Sequence, residues 1–155
     1  MNYKLGMNAV AYLAAALFDG NEDTDVESAT LTALDQVRDV TLNLSAAQAD
    51  VTTRGNNGWR GKAGTLKEAS VDFEIVAKAG DAGVEALRNA FLNNTEIGLV
   101  FLDDDIDTED AEGPAGNWTV TGFSRGEALE DAVKYNVTVE FSTFQQWYVA
   151  PAPTP

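Results

Sequence analysis

The sequence predicts a mainly β protein: an antiparallel β-sandwich or barrel with one flanking α-helix. Two observations carry this prediction. Apolar and polar residues alternate through several short segments, which is typical of strands with one face in water. One stretch between them has its apolar residues at helical spacing instead. The 155 residues contain no internal repeat and no linker, so we expect a single domain over residues 1–155.

The alternating segments occur early, in the middle and late in the chain. Residues 39–45 ("DVTLNLS"), 70–76 ("SVDFEIV") and 135–141 ("YNVTVEF") each place their apolar side chains on one face. Residues 117–123 ("NWTVTGF") alternate until Gly122, where we predict a β-bulge. These segments are predicted strands with one wet face.

Two further strands are predicted from other patterns. Residues 97–102 ("IGLVFL") form a continuous apolar run, as expected of a strand covered on both faces. Residues 144–149 ("FQQWYV") alternate poorly and predict an edge strand.

The helical segment is "DAGVEALRNAFLNNT". Its apolar residues Val84, Leu87 and Phe91 recur at intervals of three and four, which places them on one face of a helix of about three turns. The predicted cap residues are Asp81 at the start and Asn93 or Asn94 at the end.

Both ends of the chain are patterned less clearly than its middle. Lys4 and the apolar residues 8–18 ("NAVAYLAAALF") resemble parts of a signal peptide, but acidic residues follow with no cleavage site. We therefore predict a strand or short helix packed on the core there, with export as the alternative. The run is too short to span a bilayer. Residues 150–155 ("APAPTP") predict a flexible Pro-rich tail.

The composition removes many kinds of site. Cysteine and histidine are both absent, so thiolate and imidazole catalysis and Cys/His zinc sites are excluded. Acidic residues are so frequent that no carboxylate pair stands out as catalytic. We predict a protein that is not an enzyme and has no cofactor. The formal net charge of −15 argues against nonspecific binding to DNA or to anionic membranes.

Two acidic runs, residues 19–27 and 103–112, are predicted to be solvated loops. The second has aspartates at the first, third and fifth positions of a calcium loop. Thr108 then stands where that loop requires glycine, and Pro114 where it requires glutamate. We therefore predict no metal site.

Residues 51–67 ("VTTRGNNGWRGKAGTLK") carry four basic side chains and no acidic one. The "NNG" sequence favours a turn that presents Arg54, Trp59, Arg60 and Lys62 outward. Such a loop is either an ordinary turn or a docking element. Because the rest of the chain is acidic, a second copy is a natural partner, and such head-to-tail contacts build rings or stacks.

The three tryptophans suggest an alternative from another class, a monomeric carbohydrate-binding β-sandwich with exposed aromatic platforms. Trp118, at the head of an alternating strand, is predicted to lie in the core. Trp59 lies in a segment too Gly-rich for a core position.

The order of the motifs in residues 34–142 resembles the tail tube proteins of long-tailed bacteriophages and of gene transfer agents. The distinctive parts are "DVTTR" with "GW" after the early strand, the helix "VEALRNAFLNN" and the ending "DAVKYNVTVEF". The resemblance implies hexameric rings with a continuous inner sheet, stacked into a tube through which DNA leaves the virion.

The resemblance also implies partners and a location. The protein would contact itself and other tail proteins, reside in the virion tail, and occupy the host cytoplasm during assembly. The long loop after "DVTTR" helps to join one ring to the next in that family, so Arg54, Trp59, Arg60 and Lys62 would be assembly residues. A lumen lined with carboxylates would let DNA slide past without adsorbing.

Overall fold

The computed structural model describes residues 3–18 and 30–151. Within these ranges the chain forms one α-helix, α1 (Ala82–Asn93), and seven strands. The strands are β1 (Val10–Ala14), β2 (Leu31–Ala33), β3 (Val37–Asp50), β4 (Lys62–Val76), β5 (Glu96–Leu102), β6 (Glu112–Gly126) and β7 (Lys134–Val149). They make a single antiparallel sheet in the order β2-β1-β5-β6-β7-β4-β3.

The sheet curls around its main core. Phe73 of β4 and Phe101 of β5 lie three places apart in the strand order, which would separate them by about 14 Å in a flat sheet. Their ring centroids are only 5.6 Å apart. The edge strands β2 and β3 are joined by residues 34–36 alone, so the curl also brings the two edges together. The predicted mainly β, barrel-like fold with one flanking helix is confirmed.

β5 is buried on both faces, as its apolar run predicts. Leu99 points into the main core, whereas Val100 and Leu102 belong to a second apolar cluster on the other face. Tyr12 of β1 and Phe18 complete that second cluster. Residues 10–14 of the N-terminal apolar run therefore form a strand that packs on the core.

Helix α1 covers one side of the main core, with Val84 and Leu87 buried. The Asp81 side chain accepts a hydrogen bond from the Gly83 amide at 3.0 Å and caps the start. Asn94 has a φ of 54°, in the left-handed region, and ends the helix. The predicted helix and its caps are confirmed.

The late strands also follow the prediction. Trp118 is fully buried; its indole N–H donates to the Leu99 carbonyl at 3.0 Å, and its ring stacks on Phe141 with centroids 3.8 Å apart. The register between β6 and β7 shifts between Val120 and Gly122, which confirms the bulge.

Residues 144–149 continue β7 and pair with β6 on one side only, so they form an edge, as predicted. The predicted tail begins one residue too early, because Ala150 is buried and its amide donates to the Ala111 carbonyl at 2.8 Å. Residues 152–155 lie outside the described residues, as does the acidic run at 19–27.

A second correction concerns the basic segment 51–67. Only residues 51–61 form a loop, whereas residues 62–67 belong to β4. Gly64 and two lysines hid this strand, because they break the apolar alternation that identifies strands. None of the described helices is long and apolar enough to cross a membrane.

Candidate assembly interface

A largely exposed two-stranded ribbon extends from the sheet. β4 pairs with β7 only over Ser70–Val76, but it pairs with β3 out to Lys62. Residues 44–50 and 62–69 thus leave the sheet together, joined by the loop 51–61. We call residues 44–69 the arm and residues 51–61 the arm loop. A cleft lined by Ser45, Lys67 and Glu140, among others, separates the arm from β7.

The arm buries almost nothing on its own chain. Leu44 is 60% exposed and Leu66 is 80% exposed, and Val51 at the start of the arm loop is also exposed. An isolated two-stranded hairpin is at best marginally stable in water, and apolar side chains on it gain nothing from remaining solvated. These properties are typical of a surface that another chain covers.

The arm loop is nevertheless well ordered. Asn57 and Gly58 have φ values of 53° and 85°, which allow the tight turn. Thr52 closes the base, since its hydroxyl accepts a hydrogen bond from the Gly61 amide at 2.9 Å. The pKa of Asp50 lies below its ordinary value. The larger cause is a hydrogen bond from the Thr52 side chain to the Asp50 carboxylate, and the second is a hydrogen bond from the Thr52 backbone amide.

The predicted site residues all lie on the arm, and all are exposed. Trp59 is 77% exposed in the arm loop. Arg54 begins a short 3₁₀ turn, Arg60 follows Trp59, and Lys62 lies in β4 rather than in the loop. None of these three cations forms an ion pair with any residue of the described ranges. The sequence prediction that they face outward is confirmed.

The acidic loop, residues 103–111, joins β5 to β6 and has a defined conformation. The Lys4 ammonium donates to the Asp103 carboxylate at 2.7 Å and to the Asp110 carbonyl at 2.9 Å. The hydrogen bond to Asp103 raises the pKa of Lys4 above its ordinary value. The Tyr12 hydroxyl accepts from the Ile106 amide at 3.0 Å, and burial is the largest cause of the raised pKa of Tyr12.

The acidic loop gives no support to a metal site. Among the described residues, no group of three or more carboxylates is arranged to hold a metal ion. Asp103 instead receives the Lys4 ammonium and the Glu112 amide, and the Asp105 side chain accepts from the Asp107 amide at 2.9 Å.

The convex face of the sheet is polar across five strands. One row of directly paired residues runs Glu96, Thr119, Glu140, Ser70 and Asn43, from β5 to β3. Beside it, the Asp72 carboxylate accepts hydrogen bonds from the Thr138 hydroxyl at 2.6 Å and from the Asn43 amide at 3.2 Å. We call this surface the polar face.

Carboxylates dominate the charge of the polar face. Its four carboxylates are Asp72, Glu74, Glu96 and Glu140. Of these four, Glu74 is approached by the nearby cations Arg38 and Lys134, at 3.9 and 3.6 Å. Two of the others accept hydrogen bonds from hydroxyl groups, Glu96 from Ser142 and Asp72 from Thr138. The face is therefore hydrophilic, and its carboxylates outnumber the two cations beside it.

Known proteins share this fold of antiparallel strands with one helix. The sequence profile described as phage tail tube protein matches residues 10–144. The chain belongs to the phage tail tube protein family. It is accordingly a structural tail tube protein.

Three solved tail structures share the tail tube fold. The tail of an empty gene transfer agent particle, refined with C6 symmetry, superposes with a TM-score of 0.70 at 17% identity, over 95% of this chain and 98% of the other. The virion of a native gene transfer agent gives a TM-score of 0.67 at 16% identity, over 93% and 100%. The SPP1 tail tube gives 0.69 at 15% identity, over 98% and 81%. No curated protein sequence matches this chain.

Sequence reasoning missed two parts of this tail tube surface. The arm strand at residues 62–69 was hidden by Gly64 and its lysines, although a long β-ribbon could have been suspected from the loop's position between two strands. The polar face was visible only as separate polar positions. The order of the strands, which no sequence pattern gives, joins those positions into one surface.

Proposed function

We propose that this tail tube protein assembles into hexameric rings that stack into a tube, and that the tube conducts DNA during ejection from a virion tail. The single observation that carries the proposal is the arm, whose apolar residues Leu44, Trp59 and Leu66 are all more than half exposed. Surfaces of this kind mark interaction sites. The C6 symmetry in the description of one similar tail supports six copies in a ring.

In this proposal Arg54, Trp59, Arg60 and Lys62 are assembly residues. Arginine and tryptophan are enriched among the residues that contribute most to protein interfaces, because arginine forks onto carboxylates and tryptophan fills pockets. The three cations lack an ion pair within the described residues, so a neighbouring copy can provide one without breaking an existing contact.

The polar face is the surface best suited to line the lumen. DNA adsorbs where basic side chains neutralise its phosphates and release counterions. A surface with four carboxylates and only two neighbouring cations offers few such contacts. The hydroxyl groups of the polar face keep this surface hydrated, so DNA can pass along it without being retained. Assembly in the host cytoplasm and attachment to other tail proteins belong to the same proposal.

The carbohydrate-binding alternative requires exposed tryptophans, and one of the three is not exposed. Trp118 is fully buried, and its indole N–H is engaged by the Leu99 carbonyl. Trp59 and Trp147 remain exposed but lie on different elements, the arm loop and β7.

Sedimentation velocity over a range of concentrations and salt levels tests the proposal. The expected result is a species of six subunit masses, and larger species as the concentration rises. A chain that sediments only as the 16.6 kDa monomer under every condition, or as a closed oligomer of another size, would contradict it.

A further inference from the structure

The tip of the arm loop holds the one Asn–Gly pair of the chain, Asn57–Gly58. Both residues are exposed, and both have a positive φ, at 53° and 85°. The Trp59 amide donates to the Asn56 carbonyl at 3.0 Å and closes the turn around them. The pair therefore lies in water, in a turn that depends on left-handed backbone at two successive positions.

An asparagine followed by glycine loses ammonia without an enzyme. The Gly58 nitrogen attacks the carbonyl carbon Cγ of the Asn57 side chain, and the Cγ–Nδ2 bond breaks. The departing nitrogen takes up the proton of the Gly58 amide and leaves as ammonia. Water then opens the five-membered imide at either carbonyl, which gives aspartate or isoaspartate. Glycine favours the attack because it has no side chain to crowd the approaching nitrogen.

The structure leaves both reacting groups of this pair free. Among the described residues, neither the Asn57 side chain nor the Gly58 amide forms a hydrogen bond. A methyl group placed on Gly58 would meet no atom within 4 Å. The Asn57 side chain can therefore turn onto the Gly58 nitrogen without breaking a hydrogen bond of its own.

Two other asparagines provide internal comparisons. The Asn56 side-chain oxygen accepts hydrogen bonds from the Thr53 amide at 3.0 Å and from the Thr53 hydroxyl at 2.8 Å. Asn94 is exposed and has left-handed backbone, with a φ of 54°. The nitrogen that would attack there belongs to Thr95, and it donates to the Ala90 carbonyl at 3.0 Å. Each of these asparagines thus has one reacting group held in a hydrogen bond.

Deamidation changes both the charge and the backbone of the arm loop. The loop has two arginines, Arg54 and Arg60, and no acidic residue, so one new carboxylate takes its charge from +2 to +1. Isoaspartate also inserts one extra carbon into the main chain between residues 57 and 58. The turn then no longer closes with the same geometry, because a β-turn is defined by the backbone of four consecutive residues. The change alters how Trp59 and Arg60 are presented.

We propose that Asn57 is a site of spontaneous deamidation, and that this reaction limits how long a free tail tube subunit remains competent to assemble. The second half rests on the proposed function, because it takes Arg54, Trp59 and Arg60 as interface residues. The reaction itself requires only water, which supplies the oxygen of the new carboxyl group.

Peptide mapping by mass spectrometry tests the modification. The purified chain is held at 37 °C and mildly alkaline pH, sampled over time and digested with trypsin, which releases residues 55–60 as one peptide. Acid should replace amide at residue 57, as separate aspartate and isoaspartate forms. Conversion at Asn56 and Asn94 should be at least about tenfold slower, because no glycine follows them. No conversion at residue 57, or equal conversion at the other two, would overturn the proposal.

Assembly of fresh and aged protein tests the consequence, with Asn57→Gly as the matched control. Glycine keeps the positive φ of the turn and has no amide to lose. Fully converted parent chain should require at least about tenfold more protein for half-assembly, because a displaced tryptophan and a lower loop charge both weaken docking. Aged Asn57→Gly should assemble like fresh Asn57→Gly. Converted parent chain that assembles like the fresh chain would overturn the second half of the proposal.

Failure of this proposal is distinguishable from failure of the proposed function. A fresh parent chain that never assembles refutes the proposed function, and the second half of the proposal with it. The mass measurement on the same chain still decides whether Asn57 deamidates.

Discussion

Replacing Trp59 with alanine should weaken assembly without destabilising the monomer. The residue is 77% exposed, so with about 230 Å² for a full tryptophan, within the usual range for buried aromatic residues, about 180 Å² is available for burial. At about 25 cal/mol per Å² the upper limit for docking is about 4.5 kcal/mol. The entropy lost when side chains are ordered on binding, and imperfect packing at the interface, reduce this upper limit. An aromatic residue at the centre of an interface typically contributes about 2 kcal/mol or more.

A loss of about 2 kcal/mol raises the concentration required for assembly about 30-fold. Pelleting and light scattering over a concentration series would measure this shift. Thermal unfolding of the unassembled chain should change little, because substitutions of exposed residues usually cost under about 0.5 kcal/mol. Trp59→Phe serves as the graded control, and its assembly concentration should lie between those of the parent chain and of Trp59→Ala. If Trp59→Ala assembles at the parent concentration, the arm loop is an ordinary turn and the reasoning fails.

Two further predictions concern the monomer. Leu87→Ala should lower the free energy of unfolding by about 2–5 kcal/mol, because Leu87 is fully buried where α1 meets the sheet. Urea denaturation would measure this change. A loss under about 1 kcal/mol would mean that the helix packs loosely. Neither EDTA nor millimolar calcium should shift the melting temperature, because Thr108 and Pro114 stand where a calcium loop requires glycine and glutamate. A large stabilisation by calcium that magnesium does not reproduce would show that the acidic loop binds metal.

Periodicity predicted the elements that form the core. The helix, its caps and the doubly buried strand β5 follow from local patterns, because burial selects apolar residues at the period of each element. The bulge at Gly122 was also visible locally, as a break in alternation.

The arm strand and the polar face could not be predicted in the same way. Residues 62–68 contribute no buried side chain to their own chain, so no apolar period reveals them. The order of the strands depends on which of many pairings buries the most surface, which is a property of the whole chain. The candidate residues Arg54, Trp59, Arg60 and Lys62 follow from charge and turn chemistry alone.

Electron microscopy of the purified protein at high concentration tests the central claim, assembly of this chain into a tube, most directly. The account predicts rings and hollow tubes in negative stain, with six subunits in end-on views. Fields of separate monomers at every concentration and salt level, from a chain that is folded by circular dichroism, would contradict it.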